Sequence, residues 1–304
     1  MITILGPTAS GKTSLAAQLA YAIGGEVISA DSRQVYRGMS IGTGKDLTEY
    51  NVKGRLIPYH LIDIVDPGYE YNIFEFQQAF INVYRDITFR NKIPILCGGS
   101  GLYLESVLKQ YRLKKADNNK ESYEVLAQKT DRELKDLVNT FRTPHNTTDL
   151  LDRDRMIRAI MISKASEEKT NEIGFPDQRP SLIFGIQWER DLLRQRITER
   201  LQTRLENGMI EEVKDLLNSG LTPEQIKFYG LEYRYIMLFL ENKLDNNELF
   251  RQLNIAIHQF AKRQMTWFRK MERSGLIINW IDGRTSMVSK IDHVKFLLRS
   301  KKNS

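Results

Sequence analysis

The chain of 304 residues contains few of the residues that cross-link proteins or bind transition metals. It has a single cysteine, Cys97, so no internal disulfide can form, and four histidines that lie too far apart for a zinc site. No apolar run approaches the roughly 18 residues of a membrane span, and the first residues lack the basic and apolar segments of a secretory signal. We therefore expect a cytoplasmic protein with no membrane partner.

The positive charge is unevenly distributed along the chain. Lys and Arg number 45 against 38 Asp and Glu, a formal net charge of +7. Residues 251–304 hold 12 of these cations and 3 of the anions, a net charge of +9, whereas residues 1–250 are slightly acidic. A local excess of this kind favours a polyanionic partner such as a nucleic acid, although a solvated basic tail would have the same composition.

Strand and helix patterns alternate through most of the chain. Short β-prone segments predict strands at residues 1–5, Glu26–Ala30, His60–Val65, Ile93–Cys97, Ser181–Trp188 and Leu276–Ile281. Amphipathic patterns predict helices at Ile73–Arg90, from Trp188 to about Leu217, and at Pro223–Glu241, Asp245–Met271 and Ser286–Arg299. This alternation predicts an α/β fold, with a P-loop NTPase-like parallel sheet flanked by helices.

One long segment departs from the alternation. From about residue 113 to residue 179 the chain has no strong strand signal, and Leu, Ile and Met recur at helical spacing among polar residues. We therefore expect a catalytic core made of residues 1–112 together with 180–304, which includes the basic C-terminal helices, and a mostly helical insertion at 113–179 that contacts a nucleic acid.

The clearest motif follows the first predicted strand. Residues 6–13, Gly-Pro-Thr-Ala-Ser-Gly-Lys-Thr, satisfy Gly-x₄-Gly-Lys-[Ser/Thr] and precede a predicted helix. In such a loop the backbone N–H groups surround a phosphate, Lys12 adds a positive charge and the Thr13 hydroxyl can hold Mg²⁺. We predict phosphate contacts from Gly6, Thr8, Ala9, Ser10, Gly11, Lys12 and Thr13. The loop alone does not decide between a nucleotide, a diphosphate and a monophosphate.

Two further loops are expected at the carboxyl ends of the parallel strands, beside the phosphate-binding loop. Asp31 follows the second predicted strand, and Ser100 lies in Gly-Gly-Ser-Gly after a later one. A carboxylate there can act as a base, but an Asp before a helix can also be an N-cap or an outer Mg²⁺ ligand. The glycine turn is equally compatible with a purely structural role.

Two charged segments could contact a nucleic acid. Arg155 and Arg158 lie three residues apart on one predicted helical face, where they could hold phosphates or be solvated. The segment from Ala261 to Lys270 interleaves cations with Trp267 and Phe268, a composition suited to gripping a backbone and stacking bases, although both aromatics could equally be core residues. His60, Asp63 and Cys97 are more simply interpreted as structural.

Taken together, these segments resemble the tRNA dimethylallyltransferase family, the adenosine-37 prenyltransferases. The resemblance extends over nearly the whole chain and rests on seven motifs in order. They are Gly-Pro-Thr-Ala-Ser-Gly-Lys-Thr (6–13), Asp-Ser-x₃-Tyr (31–36), Gly-Met-x-Ile-Gly-Thr-x-Lys (38–45), His-x₂-Asp (60–63), Gly-Gly-Ser-Gly-Leu-Tyr (98–103), Asp-x₂-Arg-x₂-Arg-Ala (152–159) and Gln-Phe-Ala-Lys-Arg-Gln-x-Thr-Trp-Phe-Arg (259–269).

The resemblance implies transfer of a dimethylallyl group from its diphosphate to N6 of adenosine 37, beside the tRNA anticodon. The P-loop would then hold a diphosphate leaving group, with Mg²⁺ on Thr13, and we expect a monomer. The implied catalytic residues are Asp31, as the base, Lys12 and Ser100, and Lys227 would add to the diphosphate site. The implied tRNA contacts are Asp31, Ser32, Arg33, Gln34, Ser100, Asp154, Arg155, Arg158, Lys262, Arg263 and Gln264.

The chain departs from the family pattern at four positions. Ser100 stands where the family has Thr, Asp46 where it has Pro, Lys227 where it has Arg, and Leu231 where it has Tyr. Lys is a point charge without the two-pronged geometry of Arg. The chain also lacks the cysteines for the C-terminal zinc finger of some eukaryotic relatives.

Three other functions are compatible with parts of the pattern. A small-molecule kinase would share the loop and the sheet and could use Arg190, Arg194 and Arg196 as a lid, but it leaves the basic C-terminal region unexplained. A prenyltransferase acting on free AMP or ADP, and a non-catalytic RNA-binding module that retains a vestigial loop, are the other two.

Overall fold

The computed structural model describes residues 1–113, 120–141, 153–164, 174–175 and 181–300. In this part of the chain the strands are β1 (Ile2–Leu5), β2 (Gly25–Ser29), β3 (Asn51–Val52), β4 (Arg55–Leu56), β5 (Tyr59–His60), β6 (Ile93–Gly98), β7 (Leu182–Gln187) and β8 (Ile278–Asp282). Six of them form a parallel sheet in the order β5-β2-β6-β1-β7-β8. The predicted α/β fold is confirmed.

The central strands are short runs of buried residues. Every residue of β1 and β2 is buried, and β6 is buried from Pro94 onward. A strand covered by helices on both faces has no solvent side, so its sequence is mainly apolar and does not alternate, with Thr3, Glu26 and Ser29 as buried polar exceptions. The register pairs Leu5 at the end of β1 with Gly98 at the end of β6, so the loops after these strands begin side by side.

Helices surround the sheet and continue beyond it. They are α1 (Lys12–Ile23), α2 (Ile73–Phe89), α3 (Gly101–Leu108), α4 (Lys120–Ala127), α5 (Asp131–Phe141), α6 (Arg153–Lys164), α7 (Arg190–Glu206), α8 (Met209–Asn218), α9 (Pro223–Phe228), α10 (Leu231–Leu240), α11 (Asn246–Arg273) and α12 (Met287–Ser300). Within the described residues, no helix has both the length and the hydropathy of a membrane span.

Two hydrophobic clusters form the interior of the sheet and of the helices beside it. One lies against the sheet and joins α1 to α12 through residues such as Leu15, Phe184 and Val294. The other forms the interior of the layer built by α7 to α11, where Tyr233 and Leu253 are buried. This helical layer lies beside the carboxyl ends of the strands.

Two predicted helices are each broken by a glycine. The helix expected to run to Leu217 is divided into α7 and α8 by Gly208, whose φ is 93°, and the helix expected at Pro223–Glu241 is divided into α9 and α10 by Gly230, whose φ is 138°. A side chain is strongly disfavoured at such positive φ values, so glycine permits both breaks. Periodicity alone did not reveal them because the apolar spacing continues across each break.

The strand predicted at His60–Val65 is wrong in its extent. Only Tyr59 and His60 pair with β2, because Leu61 (φ 61°) and Asp63 (φ 54°) turn the backbone out of the extended conformation. The Asp63 carboxylate accepts a hydrogen bond of 2.5 Å from the buried Lys45 ammonium. This pair fixes the loop that follows β5, so the interpretation of Asp63 as structural is confirmed.

The chain divides into two compact units. Met1–Gln110 with Phe175–Ser304 make the first, and Tyr111–Gly174 make the second. Helices α4, α5 and α6 of the second unit pack through their own small core, which includes Leu126, Leu134 and Ile160. Contact of this unit with tRNA stays a prediction.

A buried carboxylate connects β2 to the end of α2. Glu26 accepts hydrogen bonds of 2.8 Å from Arg90 Nη2 and pairs with His60 Nε2 at 2.8 Å, while its own side chain is 5% exposed. Arg90 first, and His60 to a smaller extent, hold the pKa of Glu26 below its usual value of 4.5. The ionised form is therefore the one that stabilises the fold, and His60 is structural, as predicted.

We expect Glu26→Gln to lower the free energy of unfolding by about 1–3 kcal/mol at neutral pH, because it replaces the buried carboxylate that binds Arg90 and His60 with a neutral amide. Since folding lowers this pKa, the contribution is complete above pH 4.5 and is lost as pH falls below it. Urea unfolding from pH 7 to pH 3 should show the variant and the wild type converging in acid. Glu211→Gln, on an exposed carboxylate, is the control; an equal difference at every pH would contradict the prediction.

Candidate active site

The predicted phosphate-binding loop lies between β1 and α1. Lys12 and Thr13 begin the helix, and a Cβ added at Gly6 would lie 2.6 Å from Ser10 Oγ, so the loop is tightly folded. Ser10 Oγ is buried and has no hydrogen-bond partner within the described residues. The loop and helix N-terminus together form an anion-binding arrangement.

A cavity of about 820 Å³ opens at the carboxyl ends of the strands and is formed within the first unit. Its walls bring together most of the predicted site residues. Those that line it are Thr8, Ala9, Ser10, Gly11, Lys12, Thr13, Asp31, Ser32, Arg33, Gln34, Ser100, Lys227, Arg263 and Gln264. A cavity of this size accommodates a phosphorylated ligand together with a base.

Asp31 and Ser32 lie in the loop after β2, which is held to the glycine loop after β6. Ser100 Oγ accepts a hydrogen bond of 3.0 Å from the backbone N–H of Ser32, and Ser100 N–H donates to Ala30 O at 3.3 Å. The Asp31 carboxylate accepts from Arg33 N–H at 3.2 Å, an Asx-type turn. Asp31 therefore caps this turn and begins no helix, and its carboxylate reaches the cavity.

Lys12 lies close to Asp31 in this cavity. Burial lowers the pKa of Lys12, and the neighbouring Asp31 carboxylate acts in the opposite direction. The ammonium donates a long hydrogen bond of 3.4 Å to Pro7 O, within the loop itself. A cation from the loop after β1 and a carboxylate from the loop after β2 therefore face the same cavity, on either side of β6.

Gln264 connects the phosphate-binding loop to the glycine loop. Its Oε1 accepts from Thr8 N–H at 2.8 Å, its Nε2 donates to Gly99 O at 2.9 Å, and the residue is 6% exposed. Both ends of the amide are used within the protein, which gives this residue a positioning role in addition to any contact with tRNA.

The predicted cations Lys227, Lys262 and Arg263 differ in their exposure and in whether they line the cavity. Lys227 is on the cavity wall at the end of α9, where its ammonium pairs with Glu241 at 2.5 Å. Arg263 is exposed and lies over the ring of Phe260, 5.9 Å from its centroid, while Lys262 is exposed but is not part of the cavity wall.

The two aromatics of α11 have different roles. Phe268 is fully buried, so its interpretation as a core residue is confirmed. Trp267 is half-buried, packs its ring against Gly101 and lines the cavity, and its Nε1 donates to the buried Glu105 carboxylate at 2.8 Å. Cys97 is also buried, which raises the pKa of its thiol to about 12 and disfavours the reactive thiolate.

Three expected tRNA contacts lie in the second unit. Asp154, Arg155 and Arg158 are on α6, whereas the cavity is formed by the first unit. The Asp154 carboxylate accepts a hydrogen bond of 3.0 Å from Tyr123 OH. Their role in binding tRNA stays a prediction.

Two cavity arginines, Arg200 and Arg204, were not singled out from the sequence, and Arg196 was considered only as part of a kinase lid. The three recur one turn apart on α7, and Arg196 Nε donates to Ala9 O at 3.0 Å. The Arg196 guanidinium also stacks 4.3 Å from the ring centroid of Trp188. Their i, i+4, i+8 spacing was the available signal, but a solvated helix face has the same pattern.

Glu212 on α8 was also missed. Its carboxylate accepts hydrogen bonds from the consecutive N–H groups of Ser40 (2.7 Å), Ile41 (2.7 Å) and Gly42 (3.0 Å), and from Tyr233 OH (2.7 Å). Three adjacent N–H groups form an anion-binding nest. The protein fills this nest with its own carboxylate, which fixes a cavity-lining loop to the helical layer.

The fold and the site define a P-loop protein whose cavity combines a phosphate-binding loop with a carboxylate from the loop after β2. The chain belongs to the IPP transferase family, whose profile matches residues 34–271, and a second profile, isopentenyl transferase, matches residues 1–60. The predicted family, that of a prenyl transferase enzyme acting in tRNA modification, is confirmed.

Curated relatives extend over nearly the whole chain. It is 54% identical to tRNA dimethylallyltransferase 2 of Phocaeicola vulgatus over 99% of this chain and 98% of that protein. It is 55% identical to tRNA dimethylallyltransferase 1 of Geotalea daltonii over 93% of this chain and 91% of that protein.

Solved structures share the fold. The tRNA isopentenylpyrophosphate transferase of Bacillus halodurans superposes with a TM-score of 0.70 at 31% identity, covering 99% of this chain and 95% of that chain. A eukaryotic dimethylallyltransferase acting on tRNA superposes with a TM-score of 0.73 at 26% identity, covering 93% of this chain and 73% of that chain.

We expect Gln264→Leu to lower the free energy of unfolding by about 1–3 kcal/mol, because it leaves Thr8 N–H and Gly99 C=O without their buried partner. Chemical denaturation measures this loss. Gln202→Leu, on the exposed face of α7, is the matched control and should change stability by less than about 0.5 kcal/mol. Equal effects of the two substitutions would show that the bridge contributes nothing to stability.

Proposed function

We propose that this protein transfers the dimethylallyl group of dimethylallyl diphosphate to N6 of adenosine 37 in tRNAs and releases diphosphate. The observation that carries the proposal is that the Lys12 loop and Asp31 line one cavity, so a phosphate site and a base are adjacent. The names of the relatives identify the substrate class, and membership of the IPP transferase family supports carrying it over to this chain.

On the donor side, the loop would hold the diphosphate. Its backbone N–H groups, the α1 N-terminus and Lys12 stabilise the negative charge that grows as the carbon–oxygen bond breaks. The Ser100 hydroxyl and Lys227 can add to this stabilisation. Because the electron pair of the broken bond leaves with the diphosphate, this side of the cavity carries most of the catalytic effect.

The residues around the loop are compatible with Mg²⁺ that is carried by the substrate. The Thr13 hydroxyl lines the cavity, and among the described residues no three His, Cys, Asp or Glu side chains gather into a metal cage. Mg²⁺ commonly binds through one or two protein ligands, substrate phosphates and water. Held by Thr13, the ion would supply neutralisation of charge on the diphosphate.

On the acceptor side, Asp31 would act as the base. The exocyclic amine of adenine is a weak nucleophile because its lone pair is delocalised into the ring, so it must lose a proton as it attacks. The Asp31 carboxylate accepts that proton while the nitrogen–carbon bond forms and the diphosphate departs.

The target base must leave its stack to reach the cavity, at a cost of a few kcal/mol. Contacts with the anticodon loop would offset this cost. We propose that Ser32, Arg33, Gln34 and Ser100 contact the extruded nucleotide, that Lys262, Arg263 and Gln264 contact the backbone beside it, and that Asp154, Arg155 and Arg158 of the second unit contact the anticodon arm. We further propose that the protein acts as a monomer in the cytoplasm.

Incubation with labelled dimethylallyl diphosphate and three acceptor conditions tests the function. We expect labelled product with unmodified tRNA, and none with AMP or without acceptor. Labelled AMP would indicate a small-molecule prenyltransferase, and ATP turnover without tRNA would indicate a kinase.

In the same assay Asp31→Asn should lower turnover by about 10²–10⁴-fold, the usual contribution of a general base.

The Asp31 variant should still bind the donor, because the phosphate-binding loop is unchanged. Asp215→Asn, on an exposed carboxylate of α8, is the matched control and should retain full turnover. Near-normal turnover in Asp31→Asn would show that Asp31 is not the base. The proposed function would then still be tested separately by the acceptor assay.

We expect charge reversal at Lys262 and Arg263 to weaken tRNA binding and to reduce the slope of log K against log salt by about 2, because each phosphate contact contributes roughly one unit. Filter binding between 50 and 200 mM salt measures the slope. Charge reversal at Lys53 and Lys92, away from the strand ends that form the cavity, is the control with the same change in net charge. An unchanged slope in the first variant would refute the phosphate contacts.

A further inference from the structure

A pair of arginines on the cavity wall has no role in the reaction described above. Arg200 and Arg204 lie one turn apart on α7 and both line the cavity. Arg200 Nη1 is 3.4 Å from Thr8 Oγ1, so this guanidinium touches the phosphate-binding loop. The pair therefore extends the positive wall of the cavity outward from the loop.

A single carboxylate holds both guanidinium groups. Asp46 Oδ2 accepts from Arg200 Nη2 at 2.5 Å, and Arg204 Nη2 donates to both carboxylate oxygens at 3.3 and 3.4 Å. The side chains of Arg200 and Arg204 are 27% and 13% exposed, and that of Asp46 is 39% exposed. The two guanidinium groups are thus more buried than those of an ordinary surface ion pair. Surface ion pairs contribute little to stability.

The backbone around Asp46 is shaped for this contact. Asp46 has φ 42° and ψ 50°, a left-handed conformation that Asp and Asn tolerate better than most residues. At Gly44 an added Cβ would lie 2.3 Å from Arg204 Nη2 and 2.7 Å from Arg200 Nη2. The guanidinium groups therefore pack directly on the main chain. Proline, the family residue at position 46, has its φ fixed near −65° and could not adopt this conformation.

Two adjacent guanidinium groups repel each other unless a carboxylate lies between them. Burial first, and Arg200 next, disfavour the charge of Arg204 and lower its pKa, whereas Asp46 opposes this effect. Glu232, which also lines the cavity, contributes in the same direction as Asp46. Asp46 is the carboxylate whose hydrogen bonds join the two arginines.

We propose that Asp46 is a positioning residue that holds Arg200 and Arg204 together as a preorganised site for the phosphate oxygens of the diphosphate donor. The proposal rests on the proposed function and names a residue by which this chain departs from its family pattern. The contact between Arg200 and Thr8 favours the donor diphosphate over the tRNA backbone as the source of these oxygens. Paired arginine forks suit phosphate oxygens, and holding them in place lowers the entropy lost on binding.

A second hypothesis about Asp46 predicts the opposite change in the affinity for diphosphate. If Asp46 were only a negative charge beside an anion site, its removal would strengthen diphosphate binding. If it positions the arginines, its removal weakens binding, because the two guanidinium groups separate. Asp46→Asn distinguishes these hypotheses well, because asparagine keeps the left-handed backbone preference while it removes the charge and one of the two acceptor oxygens.

The test measures binding of inorganic pyrophosphate with Mg²⁺ by calorimetry, and steady-state kinetics with both substrates. We expect Asp46→Asn to weaken pyrophosphate binding and to raise KM for dimethylallyl diphosphate by about 5- to 10-fold, with KM for tRNA unchanged. Asp46→Glu, which restores the charge, should recover binding to within about threefold of the wild type. Asp66→Asn, which removes the exposed partner of Arg37, is the matched control.

A double-mutant cycle shows whether Asp46 acts through the arginines. In an Arg200→Gln, Arg204→Gln background, Asp46→Asn should have no further effect on pyrophosphate binding. Binding that is unchanged or stronger in the single variant, or an increase in KM for tRNA instead of the donor, would overturn the proposal. Absence of pyrophosphate binding by the wild type would instead contradict the proposed function itself.

Discussion

The candidate active-site cavity depends on the connection between loops that leave three consecutive strands of the sheet, β2, β6 and β1. Parallel pairing brings the ends of β1, β2 and β6 to one edge, but it leaves their loops with separate sets of polar backbone groups. Gln264 joins Thr8 N–H to Gly99 C=O, and Ser100 Oγ accepts from Ser32 N–H. These side chains turn three loops into one surface, because buried backbone groups must be paired and each bridge pairs groups of different loops.

The helical layer supplies the opposite wall of the cavity and is fixed to the sheet edge by charged groups. The Glu212 carboxylate binds three consecutive N–H groups of the loop at 40–42, and Asp46, four residues further along the chain, holds two arginines of α7. Both contacts join the same stretch of loop to the helices. A carboxylate bound by several donors in a partly buried place is rigid, so the wall that faces the phosphate-binding loop has a defined position.

Short sequence patterns correctly predicted the structural features that depend on neighbouring residues in the chain. The strand, loop and helix around residues 1–23 follow from a contiguous motif with its own local geometry, and the buried strands follow from short, mainly apolar, β-prone segments. The extents of α7 and α9 were wrong because the apolar spacing continues through Gly208 and Gly230, where only the backbone conformation changes. The strand predicted around β5 was too long because Lys45, 18 residues before Asp63, binds the Asp63 carboxylate where the backbone turns.

The sequence by itself determined the parallel sheet, the phosphate-binding loop and the presence of Asp31 at the sheet edge, because each is encoded in a short contiguous pattern. Only the tertiary structure decided that Gln264 bridges two loops, that Lys227 pairs with Glu241, and that Asp46 joins Arg200 to Arg204. These contacts connect residues from 14 to 256 positions apart. No spacing rule applies to such pairs, because their distance depends on how helices and strands pack in three dimensions.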